Sequence, residues 1–343
     1  MVITEALLFV VGLVLLVKGS DFFVNSSVRI AKQLGVSEFV IGLTLVALGT
    51  SIPELGTSVM ASFKHQSGIV MGNVLGSNIA NIGLVVGIVA VFWVLKTDRK
   101  MLMRDGFIML FAAVLFYIFL FNWVVSRIEG FIFLLLYVAY ILFVVETKSR
   151  LDRVYNFKDF VIYFFKFDYI RKTGKDLFQG NHEKKEDQGK GISARGIILK
   201  DLGIVVLSII VIWWGAKFLV EGAVFFANLF HVPQTIIGLS LIAIGTSLPE
   251  LGVTLSAGRK GLGNIVVGNI IGSNIANVFL IIGVASIISP LSVIKSTVVV
   301  TAPFMIVMTI LFLIFIRSRW KIERIEAIIF LLLYGAFLGY LVM

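Results

Sequence analysis

Residues 41–81 recur without a gap as residues 237–277, and 24 of the 41 aligned pairs are identical. A chain that carries one segment twice is built from two copies of one unit. The flanking sequence decides how the copies face each other. Each copy holds one proline and one carboxylate, in Gly49-Thr-Ser-Ile-Pro-Glu-Leu-Gly56 and Gly245-Thr-Ser-Leu-Pro-Glu-Leu-Gly252. Both lie within apolar runs long enough to cross a bilayer. Proline removes a helix hydrogen bond and frees carbonyl oxygen. An acidic side chain in hydrocarbon is costly, and where it occurs it is usually functional.

The surroundings are a membrane's. Charged residues make up 15% of the 343, against about 25% in soluble domains, and mean hydropathy is +1.02. The first charge is Glu5, and the first lysine, Lys18, follows the first apolar run. A signal peptide would begin with basic residues, so this run reads as a retained span. About 20 apolar residues cross a bilayer. Ten segments qualify, at 3–20, 37–62, 69–95, 105–123, 128–146, 199–219, 234–258, 264–289, 296–316 and 324–342. With the N-terminus outside, 26 Lys and Arg residues fall on cytoplasmic loops and four (Lys64, Arg127, Lys217 and Lys295) on the outer side. Omitting the long central loop leaves 13 against four. Basic residues favour the cytoplasmic side, so both termini are expected outside and the central loop in the cytoplasm. The net charge of +10 is then a membrane signature and calls for no nucleic acid. With no cysteine there is neither a disulfide nor a thiolate metal site.

Five spans per half is an odd number, so the second copy enters the membrane from the opposite side. The expected fold is an all-α polytopic membrane protein of ten transmembrane helices. It consists of two inverted five-helix repeats with discontinuous helices at an ion site, 1–146 and 199–343, joined by a loop at 147–198. Inverted repeats place a shared site near the midplane. Packing accounts for the repeated glycines Gly42, Gly49 and Gly56 and their partners, but not for two repeated carboxylates.

Along a helix, Thr50, Ser51 and Glu54 share one face. Pro53 offers no N–H to the carbonyl of Gly49, so carbonyls from Ala47 to Thr50 are expected to turn toward the site. Hydroxyl, carbonyl and carboxylate oxygens suit Ca²⁺, and Na⁺ accepts similar ligands. Transition metals favour His or Cys, whereas His65, His182 and His231 all read as solvated loop residues. The next span carries Gly72-Asn-Val-Leu-Gly-Ser-Asn-Ile-Ala-Asn81, repeated as Gly268 to Asn277. Asn73, Ser77 and Asn81 form one polar stripe, and Asn269, Ser273 and Asn277 another. Ser77, Asn81, Ser273 and Asn277 read as site residues. Asn73, Asn78, Asn269 and Asn274 read better as hydrogen-bonding glue between helices. If Glu54 and Glu250 are both ionised, one Ca²⁺ neutralises them. An empty site would leave two unpaired carboxylates desolvated, so a carrier of this kind changes face only when loaded.

At these residues the chain resembles the cation/Ca²⁺ exchanger superfamily and, within it, the prokaryotic Na⁺/Ca²⁺ exchangers. The paired GTSxPE and GSNIAN motifs are specific, and the resemblance spans nearly the whole chain. It implies that Glu54, Glu250 and the carbonyls of Thr50 and Thr246 hold Ca²⁺. It also implies that Ala47, Ser51, Ser77, Ala243, Ser247 and Ser273 complete Na⁺ sites, and that three Na⁺ exchange for one Ca²⁺. Some relatives carry Asp where this chain has Asn277. K⁺-dependent exchangers are associated with that Asp, so Asn277 argues against K⁺ coupling and matches its counterpart Asn81.

In the central loop, Gly180 to Gly191 is polar and reads as disordered. Tyr155 to Lys172 mixes Phe, Tyr and Ile with Lys and Arg, and reads as either an amphipathic segment on the inner membrane surface or a plain linker. No spacing of acidic ligands for a Ca²⁺-sensing loop is present. No HExxH, nucleophile elbow or phosphate loop appears either, so an enzyme and a cofactor are not expected. The expected partners are Ca²⁺, Na⁺ and the lipid bilayer. One chain supplies both halves of the site, so a monomer suffices, which also separates it from channels assembled from several subunits. A Ca²⁺/H⁺ antiporter is the nearest alternative.

Overall fold

The computed structural model describes residues 2–33, 47–97, 99–148, 155–166 and 191–342. Among these, thirteen helices follow the chain. They are α1 (Val2–Gln33), α2 (Ala47–Thr50), α3 (Ile52–Phe63), α4 (Ser67–Phe92), α5 (Leu102–Leu120), α6 (Arg127–Lys148), α7 (Phe157–Phe165), α8 (Gly191–Leu229), α9 (Gln234–Thr246), α10 (Leu248–Arg259), α11 (Gly263–Ile288), α12 (Thr297–Arg319) and α13 (Arg324–Val342). Eight are long and apolar enough to cross a membrane, and α9 with α10, bent by 43°, makes a ninth if the pair is one span. The expected span 37–62 is described only from Ala47 onward, and residues 37–46 lie outside the described residues. The protein is a multi-pass helical membrane protein.

Four two-residue strands clip loops together in antiparallel pairs. β1 (Leu95–Lys96) pairs with β4 (Lys321–Ile322), and β2 (Val124–Val125) pairs with β3 (Leu291–Ser292). These clips bear on a point that helix length leaves open. Paired strands lie on one side of the membrane, so an even number of crossings must separate them. Between β1 and β4 run α5, α6, α8, the bent pair α9–α10, α11 and α12. Were α9–α10 a re-entrant hairpin, the number of crossings would be odd. Among the described residues, the clips thus fit a bent pair counted as one crossing.

The duplication extends to details of the backbone. π-helical turns open at Asn81 and at Asn277, 196 residues apart. Left-handed backbone recurs at His65 and Gly261, and again at Trp123 and Trp320. The clips join the two halves crosswise, since β1 is the repeat counterpart of β3 but pairs with β4.

Three elements go beyond what the sequence reading specified. The spans expected at 3–20 and 199–219 fall within the apolar stretches Val2–Phe23 and Leu199–Leu229, and the helices that carry them run further, α1 to Gln33 and α8 from Gly191. The cause is their mutual packing. Gly12 and Gly215 let the two backbones touch, because a Cβ on Gly12 would sit 2.8 Å from Gly215 O. Arg29 on α1 then reaches Asp201 on α8 at 2.7 Å, so the pair stays helical beyond the apolar stretch. In the loop, where the sequence left Tyr155 to Lys172 open between an amphipathic segment and a linker, Phe157–Phe165 is a helix. Asn156 and Asp159 form its capping box. Phe160 and Tyr163 are buried against Phe143 of α6, at ring distances of 5.6 and 5.4 Å, while Phe165 is exposed. The polar run 180–190 lies outside the described residues. Among the histidines, His65 is exposed but engaged, its Nδ1 lying 3.0 Å from Ser289 Oγ, and His182 lies outside the described residues.

Candidate cation site

The site forms where the broken helices meet the two most buried ones, α4 and α11. Ser51 and Ser247 sit at the breaks with near-identical backbone angles (φ −86°, ψ 6° and φ −83°, ψ 5°). Pro53 and Pro249 follow at the second position of the next helix. They end the preceding turn because neither offers an N–H to it. That places Glu54 and Glu250 in the first turns of α3 and α10, where the positive end of the helix favours a carboxylate.

Close approach of the helices is what brings the halves together. A Cβ on Gly72 of α4 would lie 2.7 Å from Gly238 Cα and 2.5 Å from Thr235 O. Only glycine permits this contact between the first repeat's α4 and the second repeat's α9. Gly42, the counterpart of Gly238, lies outside the described residues. Gly56 packs on Ile212 and Gly245, the counterpart of Gly49, packs on Leu13, whereas Gly252, the counterpart of Gly56, meets nothing within 4 Å, so of the second copy's glycines Gly238 and Gly245 have the expected packing role and Gly252 does not.

Eleven of the twelve expected site residues are buried. They are Glu54, Glu250, Thr50, Thr246, Ser51, Ser247, Ser77, Ser273, Asn81, Asn277 and Ala243, the two carboxylates being 0% and 1% exposed. Ala47 lies on the helical turn of α2. The hydroxyls are arranged in a way the sequence did not predict. Ser51 does not serve the carboxylate of its own repeat. It donates to Glu250 Oε1 at 3.4 Å, and Ser247 donates to Glu54 Oε1 at 3.3 Å. The break turns each serine away from its own glutamate and across the pseudo-dyad. The within-repeat hydroxyls come from the neighbouring helix instead, Ser77 to Glu54 Oε1 at 3.5 Å and Ser273 to Glu250 Oε1 at 3.4 Å. Thr50 Oγ1 lies 3.4 Å from Ser273 Oγ. Thr246 Oγ1 bonds Asn73 Oδ1 at 3.1 Å and its own helix at Ile242 O. The carbonyl of Ala243 accepts the Ser247 N–H at 3.1 Å.

Each carboxylate thus has one oxygen held by two serines, one from each repeat. The other oxygens, Glu54 Oε2 and Glu250 Oε2, are buried without a hydrogen-bond partner, as are Asn81 Oδ1 and Asn277 Oδ1. Buried acceptors left unpaired cost about 1–3 kcal/mol each. Two anionic and two neutral oxygens with nothing to accept from suit a hard cation that takes oxygen ligands. Among the described residues, no three His, Cys, Asp or Glu side chains converge, so a soft or transition metal has no such nest there.

A family model described as sodium/calcium exchanger protein matches residues 4–146 and 200–343. The sodium/calcium exchanger MaX1 of Methanosarcina acetivorans is 49% identical over 345 residues, covering 98% of each chain. Among solved structures, the sodium-calcium exchanger NCX_Mj soaked with 100 mM Na⁺ and 10 mM Sr²⁺ superimposes with a TM-score of 0.61 at 32% identity, covering 99% of each chain. The same exchanger soaked without Na⁺ and Ca²⁺ matches at a TM-score of 0.62.

Proposed function

We propose, from the premise that the chain belongs to the sodium/calcium exchanger protein family, that it is a secondary antiporter exchanging Na⁺ for Ca²⁺ across the cell membrane by alternating access. It is a transporter and not an enzyme. The observation that carries the reading is the crossed pair of glutamates, each held on one oxygen by serines of both repeats and free on the other. Glu54 and Glu250 together offer two negative charges, which one Ca²⁺ balances. Na⁺ takes its place only as two or more ions. Thr50, Thr246, Ser51, Ser247, Ser77, Ser273, Asn81, Asn277 and the carbonyls of Ala47 and Ala243 complete the ion shells.

The empty, occluded carrier would bury two uncompensated carboxylates, a costly state. Reorientation is therefore tied to ion occupancy, which makes the process exchange rather than leak. With three Na⁺ per Ca²⁺ one net charge crosses per cycle, worth about 2.3 kcal/mol per 100 mV. The functional units are the repeats at 1–146 and 199–343 and the cytoplasmic loop at 147–198, with both termini outside. The ions are cargo, no further cofactor is required, and a monomer is sufficient.

The test is ⁴⁵Ca²⁺ uptake into proteoliposomes driven by an outward Na⁺ gradient. Wild-type protein takes up Ca²⁺, and Glu54→Gln or Glu250→Gln removes uptake. Wild-type flux in either variant defeats the shared-site reading. Uptake driven by a pH gradient without Na⁺ would assign the chain to Ca²⁺/H⁺ exchange instead.

A further inference from the structure

Four asparagines lie in the two turns where α4 and α11 cross, and they divide into two kinds. Asn81 Nδ2 donates to Asn274 Oδ1 at 3.0 Å, and Asn277 Nδ2 donates to Asn78 Oδ1 at 3.0 Å. Asn78 and Asn274 are engaged at both ends of their amides. Asn274 Nδ2 donates to Asn78 O at 3.3 Å, and Asn78 Nδ2 contacts Met305 Sδ at 3.4 Å. Asn81 and Asn277 are engaged at the nitrogen only, their oxygens being buried and unpartnered. Amides that merely glue helices together would be satisfied at both ends. Here the satisfied pair holds the nitrogens of the unsatisfied pair. The bonds run crosswise between repeats, and the π-helical turns open at the two half-engaged residues, a deformation that recurs at functional sites.

We infer that Asn78 and Asn274 are positioning residues that fix which end of the opposite repeat's asparagine faces the cation. A carboxamide presents either an oxygen acceptor or two N–H donors. Rotated by half a turn, Asn277 would aim its N–H groups at the cation and set its oxygen against Asn78 Oδ1, so that attraction becomes repulsion at both ends. The clamp therefore selects the ligating end of a neutral side chain with no charge of its own. This inference rests on the cation-site reading above.

The experiment is Ca²⁺ binding to the purified, detergent-solubilised full chain, measured by isothermal titration calorimetry. Asn78→Leu and Asn274→Leu remove the acceptors at similar volume, and each is expected to weaken Ca²⁺ binding by about tenfold. The discriminating result is the pattern of coupling. In an Asn277→Ala background, Asn78→Leu should add less than about twofold, and in an Asn81→Ala background it should act in full. Asn274→Leu should show the mirror pattern. Asn78→Ser and Asn274→Ser, which fall short of the amide's reach, replace any leucine variant that is not monodisperse. Unchanged binding in the single variants overturns the inference, as does coupling within repeats (78 with 81, 274 with 277) rather than across them. If wild-type protein binds Ca²⁺ and Glu54→Gln does not, but the crossed coupling is absent, only the clamp fails. If wild-type protein shows no Ca²⁺ binding that Na⁺ displaces, the exchanger reading and the clamp fall together.

Discussion

Asn73 and Asn269 are the same residue at the same place in the two repeats, yet they have opposite hydrogen-bond status. Asn73 donates to Glu54 O at 3.1 Å and Ser58 Oγ at 2.9 Å, and it accepts from Thr246 Oγ1. Both amide atoms of Asn269 are buried without a partner. Part of the cause is Thr254, which stands where the first repeat has Ser58 and itself donates to Glu250 O at 2.6 Å. Replacing a group that satisfies others strands its partners, whereas replacing an unsatisfied buried group strands nothing. Asn73→Leu should therefore cost about 1–3 kcal/mol, and Asn269→Leu should be neutral or stabilising, read as shifts in the thermal unfolding midpoint of purified protein. Equal losses would contradict the asymmetry. The motif alone shows where these residues recur but not which partners they have. Glu54 and Glu250 are legible in sequence because a carboxylate in an apolar span has few other uses. The crossing of Ser51 and Ser247 is not, because the helical spacing that puts them on the glutamate's face fails at the break the proline itself creates.

At the scale of elements, the chain is held together by breaks and close approaches that one extra group would undo. Pro249 keeps α10 from continuing α9, and the 43° bend between them aims Ser247 at Glu54. Pro249→Ala restores the missing N–H and lets the two helices run on. Insertion and yield should persist while Na⁺-driven Ca²⁺ flux falls severalfold, and full flux would show that the bend is not needed. The glycines separate just as sharply. Gly72→Ala forces a Cβ into backbone at 2.5–2.7 Å, an overlap that costs at least about 2 kcal/mol. Gly252→Ala meets nothing and gains roughly 0.8–1 kcal/mol of helix propensity. Melting of the two variants in detergent should move in opposite directions. Sequence identity at a spacing of 196 makes Gly56 and Gly252 look equivalent. They differ because only the first meets α8. The long reach of α1 and α8 was likewise hidden, because hydropathy marks where lipid contact stops and not where a helix ends that is paired by Gly12, Gly215 and the Arg29–Asp201 contact.

For the whole molecule, the strand clips and the charge distribution combine into one testable map. The clips fix relative sidedness, since β2 and β3 share a face, as do β1 and β4. The span count between β1 and β2 puts the two faces on opposite sides, because α5 alone separates them. The excess of Lys and Arg supports the proposed orientation, with the β1–β4 face in the cytoplasm. Because the chain contains no cysteine, single cysteines report on this map without background. Asn122→Cys, before β2, and Ser292→Cys, in β3, should both react with a membrane-impermeant maleimide added to intact cells. Ser318→Cys, near β4 and exposed, should react only after permeabilisation. The first two variants test the clip together with the crossing of the bent pair, and the third tests whether the two clipped faces lie on opposite sides. If α9–α10 turned back instead of spanning, the segments after it would change sides, and Ser292 and Asn122 would react from opposite faces. If all three sites swapped sides together, the clips would stand and the charge-based orientation would be reversed.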